Sequence, residues 1–150
     1  MVCIGEPKLT KDRIFVQEIF SANLVSEALL PLEDYFGHTS GYTPGKMKVP
    51  INIGRGEVLD VPILPDSPLV LELEVSQHFP LADESDIFVC KVWNTLKAKE
   101  LETLTSLEDC LRLVSPVVSV GDEYFSLSPI SKGRRGQWKN LYGKNITEGV

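Results

Sequence analysis

The sequence SPLVLELEVSQHF, residues 67–79, followed at residue 86 by DIFVCKVWNT, decides the fold class. In the first segment leucine and valine alternate with glutamate and serine, which is the two-residue period of a β-strand. This alternation places Glu72 and Glu74 on the solvent side of the strand. The second segment carries apolar side chains on both faces, as a central barrel strand does. The short connection PLADES between them predicts an antiparallel hairpin.

Outside this hairpin, shorter segments predict further strands that are separated by turns. They are Val2–Ile4, Phe20–Val25, Glu57–Leu64 with an interruption at Pro62, Pro116–Val120 and Glu123–Leu127. Many short strands with few helices are typical of a small barrel. The sequence therefore predicts a mainly β (α+β) fold, a small β-barrel with short helical insertions.

Three helical segments are predicted between these strands. The first runs from Lys11 to about Gln17 behind a Thr10 N-cap, since threonine is a common residue at that position. The second is SEALLPLEDYF, which Ser26 caps, Pro31 divides and Gly37 closes as the residue after the helix. The third is Leu107–Val114.

Length and composition predict a single domain over residues 1–150. The chain has 43% hydrophobic and 24% charged residues, which are ordinary values for a globular domain. Its net charge of −6 argues against nucleic-acid binding, which usually requires a basic face. Five basic and no acidic residues lie between Tyr124 and Thr147. Residues 128–150 are therefore expected to form a basic tail, either solvated or in contact with an anion.

The sequence also predicts a cytoplasmic protein. No apolar run reaches the roughly 18 residues of a membrane helix, and no basic segment precedes the apolar start as it does in a signal peptide. The three cysteines form no CxxC pair, so reduced thiols are expected.

The residues show no familiar catalytic motif. His38 and His78 lie far apart, without the spacing of a metal site, and no metal is predicted. Nucleophile-elbow, Walker and dinucleotide-fold glycine patterns are missing from the sequence. A protein with this pattern often takes its chemistry from a cofactor.

One segment, GEPKLT, is a candidate anion site. It follows the first strand and leads into the first helix, whose N-terminus offers unpaired N–H groups. Its candidate binding residues are Gly5, Glu6, Lys8, Leu9 and Thr10. Simple helix capping is the alternative interpretation.

In order and spacing, several short motifs resemble those of flavin reductase-like FMN-binding proteins, in particular flavoredoxin-like members. The resemblance rests on Lys8 and Thr10, Phe20–Asn23, Asp34–Gly37, Ser40–Gly41 and Lys46, together with the two long strands. It implies a split β-barrel that binds FMN, with Ser40 and Gly41 close to the flavin. It also implies a homodimer with the flavin near the interface, and NAD(P)H as a possible electron donor.

The same resemblance implies a domain that is shortened at its N-terminus. Members of the family carry a hairpin before the strand that corresponds to Val2–Ile4, and that hairpin is missing from this sequence. Three functions stay open at this point. They are an NAD(P)H:flavin oxidoreductase, a non-enzymatic FMN carrier or electron-transfer module, and a cofactor-free barrel that acts as an interaction module.

Overall fold

The computed structural model describes residues 1–5, 7–81 and 84–133. Its strands are β1 (Val2–Ile4), β2 (Ile19–Asn23), β3 (Gly54–Arg55), β4 (Pro62–Ile63), β5 (Leu69–Pro80), β6 (Asp86–Lys97), β7 (Val117–Val120) and β8 (Glu123–Ser126). Its α-helices are α1 (Leu9–Gln17), α2 (Leu30–His38), α3 (Lys99–Glu102) and α4 (Leu107–Val114). Single 3₁₀ turns occupy Glu27–Leu29 and Lys46–Lys48.

The main sheet of the described residues has the antiparallel strand order β1-β6-β5-β2. The predicted hairpin forms its two central strands, so the predicted antiparallel pairing of these two segments is confirmed. Register shifts at Glu72/Leu73 and at Val75/Gln77 interrupt the β5–β6 ladder. Because bulges bend a strand and increase its twist, the sheet curls into a half-barrel. The predicted mainly β split barrel with short helices is confirmed.

The core lies between the sheet and the β3–β4 ribbon. Val61, Ile63 and Val70 are buried together, and Ile19, Leu59 and Leu96 pack against them.

The β7–β8 hairpin is attached to the body by the Val117 N–H, which donates to the Val25 carbonyl at 3.1 Å. The Tyr124 hydroxyl also donates to the Asp34 carboxylate at 2.8 Å, which raises the pKa of Tyr124 to about 12.

The predicted strand Glu57–Leu64 is wrong in extent. Only Pro62–Ile63 is a strand, paired with Gly54–Arg55. The preceding backbone turns inward because its N–H groups bind a side chain instead of a neighbouring strand. Glu57, Val58 and Leu59 donate to the Glu72 carboxylate at 2.8, 3.0 and 2.5 Å.

Glu72 was predicted on the solvent side, and this is also wrong. Its relative exposure is 0%, and Asn94 donates a fourth hydrogen bond to it at 3.0 Å. Burial by itself raises the pKa of Glu72, but the hydrogen bonds outweigh it and hold the pKa below its usual value. A Cβ on Gly56 would lie 2.4 Å from the Leu59 carbonyl oxygen and 2.8 Å from this carboxylate. Glycine is therefore required where the loop bends around Glu72.

A buried ion pair attaches α1 to the hairpin. The Lys11 ammonium donates to Asp86 at 2.6 Å and to the Glu84 carbonyl at 2.9 Å, and both Lys11 and Asp86 are buried. His78 also hydrogen-bonds Asp86. The Lys11 bond, followed by that of His78, lowers the pKa of Asp86 despite burial. The inner side of α1 is therefore fixed by Lys11 and by the buried Ile14.

Two predicted helix ends are also corrected. Helix α1 begins at Leu9 with Lys8 at its N-cap, so Thr10 lies inside the first turn and caps nothing. Gly37 lies within α2, which continues to His38 and ends at Thr39 in an extended conformation. Pro31 stands in the first turn of α2, where its missing N–H has no cost.

Of the predicted basic tail, residues 134–150 lie outside the described residues.

Glu72→Gln is expected to lower the free energy of unfolding at neutral pH by about 1–3 kcal/mol, since backbone N–H donors would lose a buried charged acceptor. The folded-state pKa of Glu72 lies below its usual value of about 4.3. Its contribution is therefore complete above that pH and is lost as the pH falls through the folded-state pKa. Chemical denaturation from pH 7 to pH 3 should show parent and variant converging in acid. The control is Glu57→Gln, an exposed side chain. A constant difference across that range would contradict the assignment.

Candidate functional site

The first turn of α1 presents unused hydrogen-bond donors to an open groove. Lys11 and Asp12 donate their backbone N–H groups to the Lys8 carbonyl, whereas Leu9 and Thr10 precede the first intrahelical acceptor. The Thr10 side chain makes no hydrogen bond with any other described residue. Leu9 and Thr10 both line the groove. This end of the helix therefore offers N–H groups, a hydroxyl and a positive dipole end to a ligand.

The groove consists of three adjoining clefts that share Thr10 and Met47. The first cleft, of about 740 Å³, runs along α1 toward β2 and β3. The second, of about 510 Å³, lies between α1 and the loop that follows α2. The third, of about 440 Å³, extends over β2 toward α2. These volumes lie within the range of small-molecule and cofactor sites.

The loop after α2 is held against the N-terminus of α1. Ser40 opens a turn in which its carbonyl accepts from the Thr43 N–H at 3.0 Å. Gly41 touches Leu9 so closely that a Cβ on Gly41 would lie 2.7 Å from the Leu9 Cβ. The Tyr42 hydroxyl hydrogen-bonds Asp12 on α1, and this bond raises the pKa of Tyr42. Two segments that are distant in sequence therefore form one wall of the groove.

Lys46 anchors the other end of this loop. Its ammonium donates to the Phe36 carbonyl at 2.8 Å and to the Thr39 carbonyl, at the C-terminal end of α2. The Tyr35 hydroxyl donates to the Lys46 carbonyl at 3.1 Å. Burial, and then the nearby charge of Lys8, lower the pKa of Lys46. Lys46 is therefore engaged with α2, while Lys8 adds positive potential to this end of the groove.

The structure brings together some of the residues that the sequence singled out and leaves others apart. Leu9, Thr10 and Gly41 line the groove. Lys8 and Ser40 are exposed beside it but do not line these clefts. Gly5 lies next to Ser85, with 3.6 Å between its would-be Cβ and the serine oxygen. Glu6 lies outside the described residues. The positions of these seven residues do not show whether any of them contacts a ligand. Their binding roles stay predictions.

Sequence reasoning missed other groove residues. They include Arg13, Gln17, Ser21, Met47, Ile53 and Arg55. The helical period could have found two of them, because Arg13 and Gln17 follow Thr10 at the spacings that share a helix face. Arg55 and Ile53 carry no such signal, since their position depends on how the loop before β3 folds back.

Comparison with protein families shows to which family the chain belongs. The model of the flavin reductase like domain matches residues 1–125. The chain belongs to this family. None of the curated protein sequences matches the chain significantly.

Solved structures with the same fold accord with this membership. Flavoredoxin from Methanosarcina acetivorans is 18% identical with a TM-score of 0.76, and the match covers 93% of this chain and 74% of that chain. The FMN-binding protein from Thermus thermophilus, solved with bound p-hydroxybenzaldehyde, is 21% identical with a TM-score of 0.71 over 89% and 71% of the two chains. Nitrilotriacetate monooxygenase component B from Bacillus cereus is 16% identical with a TM-score of 0.74, over 88% and 70%. With identities this low, the comparison shows that the flavin reductase-like chain has the same fold as these three proteins.

Two further observations concern the described part of the chain. No helix there is long and apolar enough to cross a membrane. No group of His, Cys, Asp and Glu side chains there could hold a metal ion.

Gly41→Ala is expected to displace the loop from α1, because its methyl group would meet the Leu9 Cβ, which cannot move without the helix backbone. Amide hydrogen exchange across residues 40–48 should accelerate at least severalfold as the contact between Tyr42 and Asp12 is lost. Gly37→Ala is the matched control, since its Cβ would make only an ordinary 3.7 Å contact with Glu33 and alanine favours the helix. Unchanged exchange in Gly41→Ala would show that the contact does not hold the loop.

Proposed function

We propose that this flavin reductase-like chain is an FMN-binding redox protein. The observation that carries the proposal is the unpartnered first turn of α1, which opens onto a groove of cofactor size in a chain of this family. The Thermus thermophilus protein of the same fold is described as FMN-binding. We assign the cofactor phosphate to the N–H groups of Leu9 and Thr10 and to the Thr10 hydroxyl, with Lys8 as a nearby counter-charge.

The residues present fit such a cofactor. A phosphate at a helix N-terminus is stabilised by unpaired N–H groups and by the helix dipole. Beyond Thr10 the groove offers apolar surface for a flat ring, because Met47 and Ile53 are 57% and 48% exposed. Gly41 adds a wall without a side chain. We retain Gly5, Glu6 and Ser40 as predicted contacts on the basis of the family resemblance.

The bound flavin would supply electron or hydride transfer, a chemistry that protein side chains lack. The chain itself would bind and orient it. The donors of α1 would hold the phosphate end, and the loop that Tyr42 and Lys46 anchor would form the wall above it. Whether the protein reduces flavin with NAD(P)H or only carries electrons is decided by assaying NAD(P)H consumption with added FMN.

Thr10→Val is expected to weaken FMN binding by about tenfold to a hundredfold, since a charge-assisted hydrogen bond contributes about 1.5–3 kcal/mol. Lys8→Ala should weaken it by a smaller factor that shrinks at high salt, because the lysine acts at the edge of the groove. Quenching of flavin fluorescence gives the dissociation constants. The control is Thr105→Val, an exposed threonine on the segment before α4. If Thr10→Val and Lys8→Ala bind FMN as tightly as the parent does, the phosphate assignment is wrong.

The proposed assembly is a cytoplasmic homodimer with the flavin near the interface. The dimer is supported by the outer edge of β1, because β1 pairs only with β6 within the described residues. A second support is the exposed apolar surface of the β7–β8 hairpin, where Val118, Val120 and Phe125 are 41%, 60% and 51% exposed. Unpaired edges and such patches commonly bind a partner.

Light scattering at micromolar concentration should therefore give the mass of two chains. Val120→Lys is expected to shift the protein toward monomer, because it places a charge in the proposed interface. Val16→Lys is the control, since Val16 is 80% exposed on α1 outside that hairpin. A monodisperse monomer with FMN bound would contradict the dimer.

A further inference from the structure

The third cleft of the groove is lined mostly by apolar side chains. Its volume of about 440 Å³ is within the range of small-molecule sites. Two of its polar residues are already engaged. The Ser21 hydroxyl donates to the Pro62 carbonyl at 2.6 Å, and the Asn23 side chain bonds both Ser21 and the Leu64 N–H. The apolar lining includes Val25, Leu29, Leu32, Phe36 and Ile51.

Glu33 brings a carboxylate to this apolar cleft. The residue is half-buried in the first turn of α2 and lines the cleft. Its Oε2 atom is buried and has no hydrogen-bond partner among the described residues. A buried polar atom without a partner is costly, and more so when it carries charge. Because such atoms are rare in folded proteins, this one requires an explanation.

The neighbouring groups that could neutralise Glu33 are bonded elsewhere. The Tyr124 hydroxyl donates its single proton to Asp34 at 2.8 Å, and this bond, with the nearby charges of Asp34 and Glu33, raises the pKa of Tyr124 to about 12. The His38 ring also lies against Asp34, at 3.2 Å. The Lys46 ammonium donates to two backbone carbonyls at the C-terminal end of α2. Among the described residues, these nearby groups therefore leave Glu33 without a counter-charge.

We propose that the third cleft binds an organic ammonium ion, a primary amine on a small apolar body, whose N–H donates to Glu33. The apolar walls suit the body of such a ligand. The carboxylate suits its charged head, because a hydrogen bond between ionised groups is stronger than a neutral one. The ammonium would also supply the partner that the buried oxygen lacks.

This site goes beyond the proposed function, since it does not require FMN. The third cleft shares Thr10 and Met47 with the first cleft, so the amine would lie beside the groove that we assign to the flavin. Failure of FMN to bind would therefore leave the amine site standing, and failure of the amine to bind would leave the FMN assignment standing.

The test uses three probes that share one phenylethyl body. 2-Phenylethylamine is protonated at neutral pH, as a lysine side chain is, 2-phenylethanol keeps a donor without the charge, and 3-phenylpropionate reverses the charge. Calorimetry at pH 7 measures the binding of each probe to the parent, to Glu33→Gln and to Glu27→Gln. Glu27→Gln is the matched control, because it removes the same charge from an exposed side chain in the 3₁₀ turn before α2. Methyl NMR shifts at Leu29, Leu32 and Ile51 locate the bound probe.

Parent and control are expected to bind 2-phenylethylamine, and Glu33→Gln is expected to bind it at least tenfold more weakly. 2-Phenylethanol should bind the parent more weakly than the amine does and should lose less than threefold in Glu33→Gln, because a glutamine also accepts from a neutral donor. The proposal is overturned if the parent does not bind the amine in this cleft, or if Glu33→Gln binds the amine as tightly as the control does. Equal affinity of the parent for the amine and for either other probe would overturn it as well.

The unpaired carboxylate also has a consequence without any ligand. Glu33→Gln is expected to unfold at a higher temperature than Glu27→Gln, because an uncompensated buried charge is removed. The amine should raise the Tm of parent and control and leave that of Glu33→Gln unchanged. If ligand-free Glu33→Gln unfolds at or below the temperature of the control, Glu33 already has a partner and the proposal falls. If Glu33→Gln does not fold, the three probes and their NMR location in the parent decide it.

Discussion

The buried carboxylate of Glu72 is the constraint on which one side of the groove depends. Three successive backbone N–H groups, from Glu57 to Leu59, bind it, and Asn94 adds a fourth donor from β6. A buried carboxylate is costly unless such donors surround it, so the loop must fold onto the sheet. That fold positions β3 and β4, buries Val61 and Ile63 in the core, and brings Arg55 to the cleft wall.

Helix α1 forms the other side and has two distinct faces. Lys11 and Ile14 point into the protein, where Lys11 pairs with Asp86 on the hairpin. Thr10, Arg13 and Gln17 line the cleft. A helix held by a buried ion pair on one face can present a fixed row of donors on the other, because breaking such a pair leaves an uncompensated charge inside.

The low sequence identity to structures of the same fold bears on which features of the site depend on individual side chains. The chain shares its fold with three solved structures to which it is only 16–21% identical. The donors of the α1 first turn belong to the backbone and survive sequence change. The cleft side chains do not share that protection, because a substitution changes them directly.

The sequence by itself determined the β5–β6 hairpin, the first strand, the approximate bounds of α1 and α4, and the barrel class, because period-two and period-3.6 patterns are local. It also singled out Leu9, Thr10 and Gly41, which the fold brings together. Only the tertiary structure decided that Glu72 is buried, that Glu57–Leu64 keeps just two strand residues, and that Thr10 lies inside its helix. Each of these depends on a partner distant in the chain or on a two-residue shift of a helix end. These features leave no periodic pattern in the sequence. A glutamate in an alternating strand gives the same pattern whether its side chain is solvated or buried under a loop.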